Sequence, residues 1–310
     1  MKRLIFVYNP HSSNHVHVKD EVLCYATKIQ DYMVGKFAIK KIPFEENVEA
    51  LRKFLKDGDT VLAVGGDATA AVVANAILES EKDVILGVLP YGNFNDLART
   101  LGVMKFGDMF KLEGENYKAD FKNVRKMYPL NIRVNGEHWR YATCYLTVGM
   151  TAEAVELFDE PKIRKSMKKG HRSSWRSYLY LMRWYFKNRH KKVFIPTFTL
   201  NGLETKKGIS DYCALSGRSM CRVMKGGDDY LNSRVFRSYV GRLTNFWRLS
   251  RLMIKSILVR TPGFETSGDV LEFVVPSTVE MQAEGEYKVF RDIKTIEVAK
   301  DGKWIKVIHS

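Results

Sequence analysis

A doubly wound parallel sheet at the N-terminus, then a β-rich, sandwich-like second domain with helical insertions, is the fold class this sequence predicts. Three observations predict it. Apolar strand runs alternate with helical patterns over the first hundred residues. Between residues 60 and 99 a buried strand runs into glycine and then a helix, twice in succession. After about residue 111 the periodicity changes, and Asn-Gly and Asp-Gly turns separate short alternating segments.

Taken in order, residues 3–8 read as the first strand. Residues 18–33 read as an amphipathic helix with Val22, Leu23, Ala26, Ile29 and Met33 on one side. A strand over 37–42 and a short helix over 48–56 follow. Strands at 60–64 and 84–89 each lead into a helix, the first over 69–78 and the second through Ala98 and Leu101. Beyond them, 131–134, Asn135-Gly136 and 139–148 predict a hairpin. The same device is expected at 194–200 with Asn201-Gly202 and at 296–299 with Asp301-Gly302. Helices are expected near 174–187 and 245–259. The domain boundary is placed between Glu115 and Lys126, giving domains over 1–120 and 121–310, with the final strands returning toward the first domain.

The chain has 310 residues and a net charge of +15, and the placement of that charge matters more than its size. Residues 161–192 hold twelve Lys or Arg and no acid; residues 218–260 hold ten against Asp228 and Asp229 alone. Such a surface favours anionic partners: phosphoryl substrates, acidic lipid or nucleic acid. No RNA- or DNA-binding signature accompanies the charge, so nucleic acid is not expected. Adhesion to anionic lipid would contribute about 1 kcal/mol per Lys or Arg near the surface. Around 174–187 and 245–259 apolar stripes run beside the basic residues, which equally fits helices that face a core. The four cysteines form no C-x-x-C pair and no zinc-like spacing, which fits reduced thiols and a cytoplasmic setting. The apolar run in MKRLIFVYNP is too short for a signal-peptide core and reads as a strand. No apolar run of 18 residues is present to span a membrane.

The chemistry-bearing residues sit at strand ends. Asn9-Pro10-His11-Ser12-Ser13 offers hydroxyls and amides where the first strand stops, although Pro, Asn and Ser also form plain turns. Gly65-Gly66-Asp67-Ala68-Thr69 offers two glycines that permit close approach or a positive φ. Asp67 there can hold a metal ion through water, orient a substrate hydroxyl, or cap the following helix. Gly92-Asn93-Phe94-Asn95-Asp96 supplies polar groups at the neighbouring strand end, where Asn95 or Asp96 can equally be an N-cap. Glycines opening helices at successive strand ends bring backbone N–H groups close to a phosphate.

Together these loops resemble the diacylglycerol kinase-like catalytic domain of bacterial lipid kinases and sphingosine kinases, distantly related to NAD kinases. That family carries Asn-Pro-x-Ser-Gly, Gly-Gly-Asp-Gly-Thr and Gly-Thr-Gly-Asn-Asp-Phe-Ala-Arg at corresponding strand ends. It also carries a later Asp-Gly-Glu on a hairpin, matched here by Glu284-Gly285-Glu286. The resemblance implies transfer of the γ-phosphoryl group of ATP, with Mg²⁺, to the hydroxyl of a diacylglycerol-like lipid at the inner face of a membrane. It makes Glu286 the general base and Asp67 the residue that orients the hydroxyl or binds metal through water. Ser12, Ser13, Gly65, Gly66, Thr69 and Asn93 would line the triphosphate, with Asn9, His11, Asp67, Ala68, Gly92, Asn95 and Asp96 completing the nucleotide-binding set. Its metal-associated loop falls on Asp229 and Asn232. A homodimer is allowed.

Five positions depart from the family pattern. Ala68 stands for Gly, Asn93-Phe94 for Thr-Gly, Glu284 for Asp, and Asn232 for an acid. Ala68, Phe94 and Asn232 motivate an alternative, a catalytically impaired member that binds nucleotide and anionic membrane without turnover.

Overall fold

The structure is a computed structural model that describes residues 1–11, 18–92, 94–121, 123–149, 151–153, 179–180, 182–184, 186–187, 195–200, 203–209, 211–220, 224–225, 230–241, 265–267, 270–274 and 278–310. Residues 1–129, 231–233 and 302–310 form one compact unit; residues 130–230 and 234–301 form the other.

The first unit is built on strands β1 (Lys2–Tyr8), β2 (Tyr32–Ala38), β3 (Thr60–Gly65) and β4 (Ile85–Pro90). The sheet runs β2-β1-β3-β4, then Ile305–Ile308, then Val124–Met127. The first five strands are parallel and the last is antiparallel. Strands covered on both faces read as unbroken apolar runs. Accordingly Leu4, Ile5, Phe6 and Val7 are all fully buried, and so is every residue of β3.

Helices α1 (Phe44–Phe54) and α2 (Asp67–Ser80) pack on this sheet. Acids in the first turn of α1 and bases in its last complement the helix dipole. Its buried Asn47 accepts the Lys40 N–H and donates to the carbonyls of Lys40, Ile42 and Pro43, pinning the turn that leads in. In α2, Ala70, Ala71, Val73, Ala74 and Ala76 are buried, so small side chains let the helix lie close against its neighbours.

The expected helix over 18–33 is instead two short pieces, a π turn at Lys19–Leu23 and a 3-10 turn at Ala26–Lys28. The expected stripe is buried at Val22, Leu23, Ala26 and Ile29, but Met33 is 52% exposed. The backbone leaves the helical pattern because the Gln30 N–H donates to the Tyr117 carbonyl, and Asp31 then turns the chain at φ 67°. Tyr32, Val34 and Phe37 go into β2, which lies five residues earlier than expected.

The second unit holds two six-stranded antiparallel sheets. One contains Tyr145–Gly149, Asp211–Leu215, Phe236–Gly241, Glu265–Ser267, Thr278–Ala283 and Glu286–Arg291. The other contains Leu130–Val134, Glu137–Ala142, Ile195–Leu200, Leu203–Ile209, Val270–Val274 and Thr295–Ala299. Leu130, Ile132, Leu146, Val148, Tyr212, Phe236, Met281 and Ile296, drawn from both sheets, form one buried core. The expected turn at Asn135-Gly136 is present, with both residues at positive φ, as favoured hairpin turns require. The expected strand 139–148 is two strands in different sheets, broken at Thr143-Cys144. Asp301-Gly302 does not close a hairpin, because the chain continues into Ile305–Ile308 of the parallel sheet. The helix expected at 245–259 and most of the basic stretch 161–192 lie outside the described residues.

Asp211 opens its strand between Gly149 and Gly241 and is 2% exposed. Its carboxylate accepts the Thr151 N–H at 2.8 Å and the Thr151 hydroxyl at 2.6 Å. Burial pushes its pKa up from 3.8 to about 7, against those two hydrogen bonds. Ionised Asp211 therefore opposes folding: stability present below about pH 4 is lost as pH rises toward 7. Asp211→Asn should gain stability relative to the parent protein over that window, by up to about 4 kcal/mol at about 1.4 kcal/mol per pH unit. Urea unfolding on either side of the window reads this, and a pH-independent difference contradicts it.

Candidate active site

The carboxyl ends of β3 and β4 lie side by side, with Gly65 opposite Pro90. The Tyr91 N–H donates to the Gly65 carbonyl at 3.0 Å, carrying the ladder into the loops. Beyond it the two glycine loops touch backbone to backbone. A Cβ on Gly92 would stand 2.2 Å from Gly66 Cα and 2.8 Å from Gly66 N, and one on Gly66 would stand 3.1 Å from Gly92 Cα. Gly65 is shut in by Thr69, whose Oγ1 would lie 2.5 Å from an added Cβ. None of these three glycines has a positive φ. Of the two uses open to them, close approach is the one realised.

Asp67 opens α2 directly after this contact and is nearly buried. Its Oδ1 accepts the Leu97 N–H at 3.2 Å, which ties the start of α2 to the start of α3 (Asp96–Thr100). Burial first, and then the neighbouring Asp96, push the Asp67 pKa up; hydrogen bonds from the Leu97 and Asp96 backbones and the charge of Arg99 oppose the shift. Asp96 is fully buried and ion-paired to Arg99. The loop before α3 is braced by Asn95, a left-handed residue at φ 54°. Its Oδ1 accepts the Gly92 N–H at 2.8 Å, and its Nδ2 donates to the carbonyls of Gly92 at 2.9 Å and Pro90 at 3.3 Å.

Ala68 sits in the first turn of α2, exposed and with no positive φ. The backbone strain that a replaced glycine could bring is therefore absent there, and the methyl points away from the packed contact. Phe94 is half-buried beside Asn95. At the end of β1, Asn9 Oδ1 accepts the His11 N–H at 2.9 Å in a local turn, and His11 is exposed. Ser12, Ser13, Asn93 and Asp229 lie outside the described residues. The first unit thus gathers Asn9, Gly65, Gly66, Asp67, Thr69, Gly92, Asn95 and Asp96 at the ends of three adjacent strands.

In the second unit Glu286 is half-buried and begins the strand Glu286–Arg291, opposite Ala283. The turn before it, Glu284-Gly285, has φ 55° and 87°. Glu284 is 1% exposed, and its Oε1 accepts the N–H groups of Cys144 and Tyr145, the latter at 3.1 Å. Its extra methylene relative to Asp lets the carboxylate reach the backbone where the chain passes between the two sheets. Sequence reading missed this inward role, as it missed Asp211. It also missed the Asp96–Arg99 pair, although the i,i+3 spacing was there to be read.

Two tests separate a metal carried by nucleotide from one resident in the protein. Mg²⁺ is commonly held by one or two carboxylates plus substrate phosphates. Asp67, at the uncapped N-terminus of a 14-residue helix, suits that arrangement. Among the described residues no group of three His, Cys, Asp or Glu side chains could hold an ion alone. The described part of the loop at 230–233 does not fit a resident cation: Asn232 is exposed, the Tyr230 carbonyl accepts Lys300 Nζ, and the Leu231 carbonyl accepts the Tyr128 N–H.

The glycine contact makes a direct prediction. Gly92→Ala forces the loops apart and should cost about 1–3 kcal/mol by overpacking, whereas Ala68→Gly, in an exposed helical turn, should cost about 1 kcal/mol or less. Urea unfolding of both variants measures this, and a neutral Gly92→Ala contradicts the packing described.

Residues 3–120 match the family model described as the diacylglycerol kinase catalytic domain. Diacylglycerol kinases of Staphylococcus aureus strains JH9 and Newman are each 31% identical to this chain over 142 residues, 44% of this chain and 44% of each relative. The matched stretch is thus less than half the length of those relatives. A crystal structure of a diacylglycerol kinase from Bacillus anthracis str. Sterne aligns with TM-score 0.64 at 14% identity, covering 99% of this chain and 97% of that one. A further structure from the same strain, described only as a candidate diacylglycerol kinase, gives TM-score 0.69 at 16% identity and the same coverage. At those identities the likeness is one of fold, a parallel α/β unit and a β-rich unit in one chain. The glycine loops and Asp67 all fall within residues 3–120, the stretch that is similar to the diacylglycerol kinase catalytic domain.

Proposed function

We propose that this protein is an ATP-dependent lipid kinase that phosphorylates the hydroxyl of a diacylglycerol-like lipid. The observation that carries this reading is Asp67, a buried carboxylate of raised pKa placed where two touching glycine loops and two helix N-termini converge. Phosphoryl transfer asks a protein for alignment and charge stabilisation more than for covalent chemistry. The new bond joins the lipid oxygen to the γ-phosphorus, the bond from that phosphorus to the bridging oxygen breaks, and ADP leaves. The hydroxyl proton goes to Glu286 as general base. The backbone at Gly66 to Thr69 holds the phosphates, and Asp67 orients the acceptor hydroxyl or meets the nucleotide-borne metal through water. Mg²⁺ bound with the nucleotide would supply neutralising charge on the phosphates.

The departures from the family pattern weigh less once placed in the fold. Ala68 is unstrained and exposed, and Glu284 has backbone partners of its own. Phe94 and Asn232 still favour the second reading, a nucleotide-binding member without turnover, because Phe94 is a half-buried phenyl in the loop between Gly92 and Asn95 and Asn232 is an amide where the family carries an acid. The net charge of +15 supports peripheral association with an anionic membrane. Among the described residues no helix is long and apolar enough to cross one.

Radiolabelled ATP with diacylglycerol in mixed micelles tests the assignment. Glu286→Gln should lower kcat by about 10²- to 10⁴-fold while ATP affinity in a titration stays close to that of the unmodified protein. Equal turnover by Glu286→Gln removes it as the base. Nucleotide binding with no lipid phosphorylation by the unmodified protein favours the second reading.

A further inference from the structure

Lys300 follows the strand Thr295–Ala299 and is only 3% exposed. A buried ammonium is costly unless it is paired, and this one donates to the Tyr230 carbonyl at 2.5 Å. Tyr230 is gripped from three other directions. Its N–H donates to the Ser216 carbonyl at 3.0 Å. Its hydroxyl accepts Arg237 Nη2 at 2.9 Å, and the Arg237 guanidinium lies 4.9 Å from the centre of its ring. The next carbonyl along, that of Leu231, accepts the Tyr128 N–H at 2.7 Å.

A hard divalent cation in such a turn would collect oxygen ligands, backbone carbonyls among them, at about 2.0–2.6 Å. Here the Tyr230 carbonyl already faces a cation. A second one at the same oxygen would meet like charge with little water to screen it, and Asn232 offers an exposed neutral amide in place of a carboxylate. We propose that Lys300 is a built-in substitute for a metal ion at this turn. Its ammonium fixes the Tyr230 carbonyl while Arg237 holds the ring and hydroxyl, so the turn through Asn232 keeps its shape without any divalent cation. Mg²⁺ is then not needed to hold this turn.

The test uses the full chain without nucleotide, so it is independent of whether lipid is phosphorylated. Thermal unfolding in EDTA and in excess Mg²⁺ should give the same Tm, whereas a resident site filled far above its Kd would raise Tm by about 5 °C or more. Titration with Mn²⁺ followed by electron paramagnetic resonance should show no stoichiometric tight site in Asp67→Asn, the variant that removes the nucleotide-side carboxylate. Lys300→Met should lower Tm by several degrees in both buffers, and Lys300→Arg should retain most of the loss. A Tm raised by Mg²⁺ in the unmodified protein, one tightly held Mn²⁺ in Asp67→Asn, or a Lys300→Met variant that melts like its parent would each overturn the proposal. If Lys300→Met does not fold, the metal comparisons on the other two proteins still decide.

Discussion

The backbone contact between Gly66 and Gly92 is the constraint on which the rest of the first unit depends. Two parallel strands lie nearly 5 Å apart, and side chains at their ends normally keep the following loops further apart still. Removing both Cβ atoms lets the loops continue the approach of the strands, so the Tyr91 N–H reaches Gly65 and the Leu97 N–H reaches Asp67. The starts of α2 and α3 are thereby fixed against each other. Asn95 completes the arrangement by spending its whole amide on Gly92 and Pro90. Its motif position suggests a ligand contact; its geometry makes it the brace of the loop.

A second theme runs through both units: buried charge is matched to backbone. Asp67 accepts from Leu97, Asp211 from Thr151, Glu284 from Cys144 and Tyr145, and Asp59 from Lys56. Lys300 does the converse with the Tyr230 carbonyl. A charged side chain that meets a main-chain partner fixes the course of a loop, and the charge-assisted bond offsets part of its desolvation. Each of these residues holds a turn or a strand end. For Asp67 and Asp211 the compensation is incomplete, which is why burial raises both. At Asp67 that residual cost is located where chemistry would use a carboxylate.

The parallel sheet and its glycine loops were legible in the sequence because strands covered on both faces leave unbroken apolar runs, and because glycine followed by an apolar helix is a local signal. The span from Val18 to Met33 was misread for the opposite reason. Its apolar stripe has helical spacing, but a pairing of Gln30 with Tyr117, 87 residues further along the sequence, draws the backbone out of a helix. Asp301-Gly302 has turn chemistry without a hairpin, since the next strand pairs in the other unit. Ala68 is a departure from motif in letter and not in conformation. Asp211 and Lys300 give no local sign of their roles, because a single acid or lysine beside a strand is ordinarily solvated and only burial singles them out.

The central claim is that the two glycine loops form one structural unit that receives nucleotide phosphates. Hydrogen–deuterium exchange with and without ATP and Mg²⁺ tests it most directly. Peptides covering residues 65–70 and 91–97 should slow together at the same nucleotide concentration, as expected if one ligand closes over both. Protection of only one loop, or of neither at a concentration where nucleotide binds elsewhere in the chain, would contradict it.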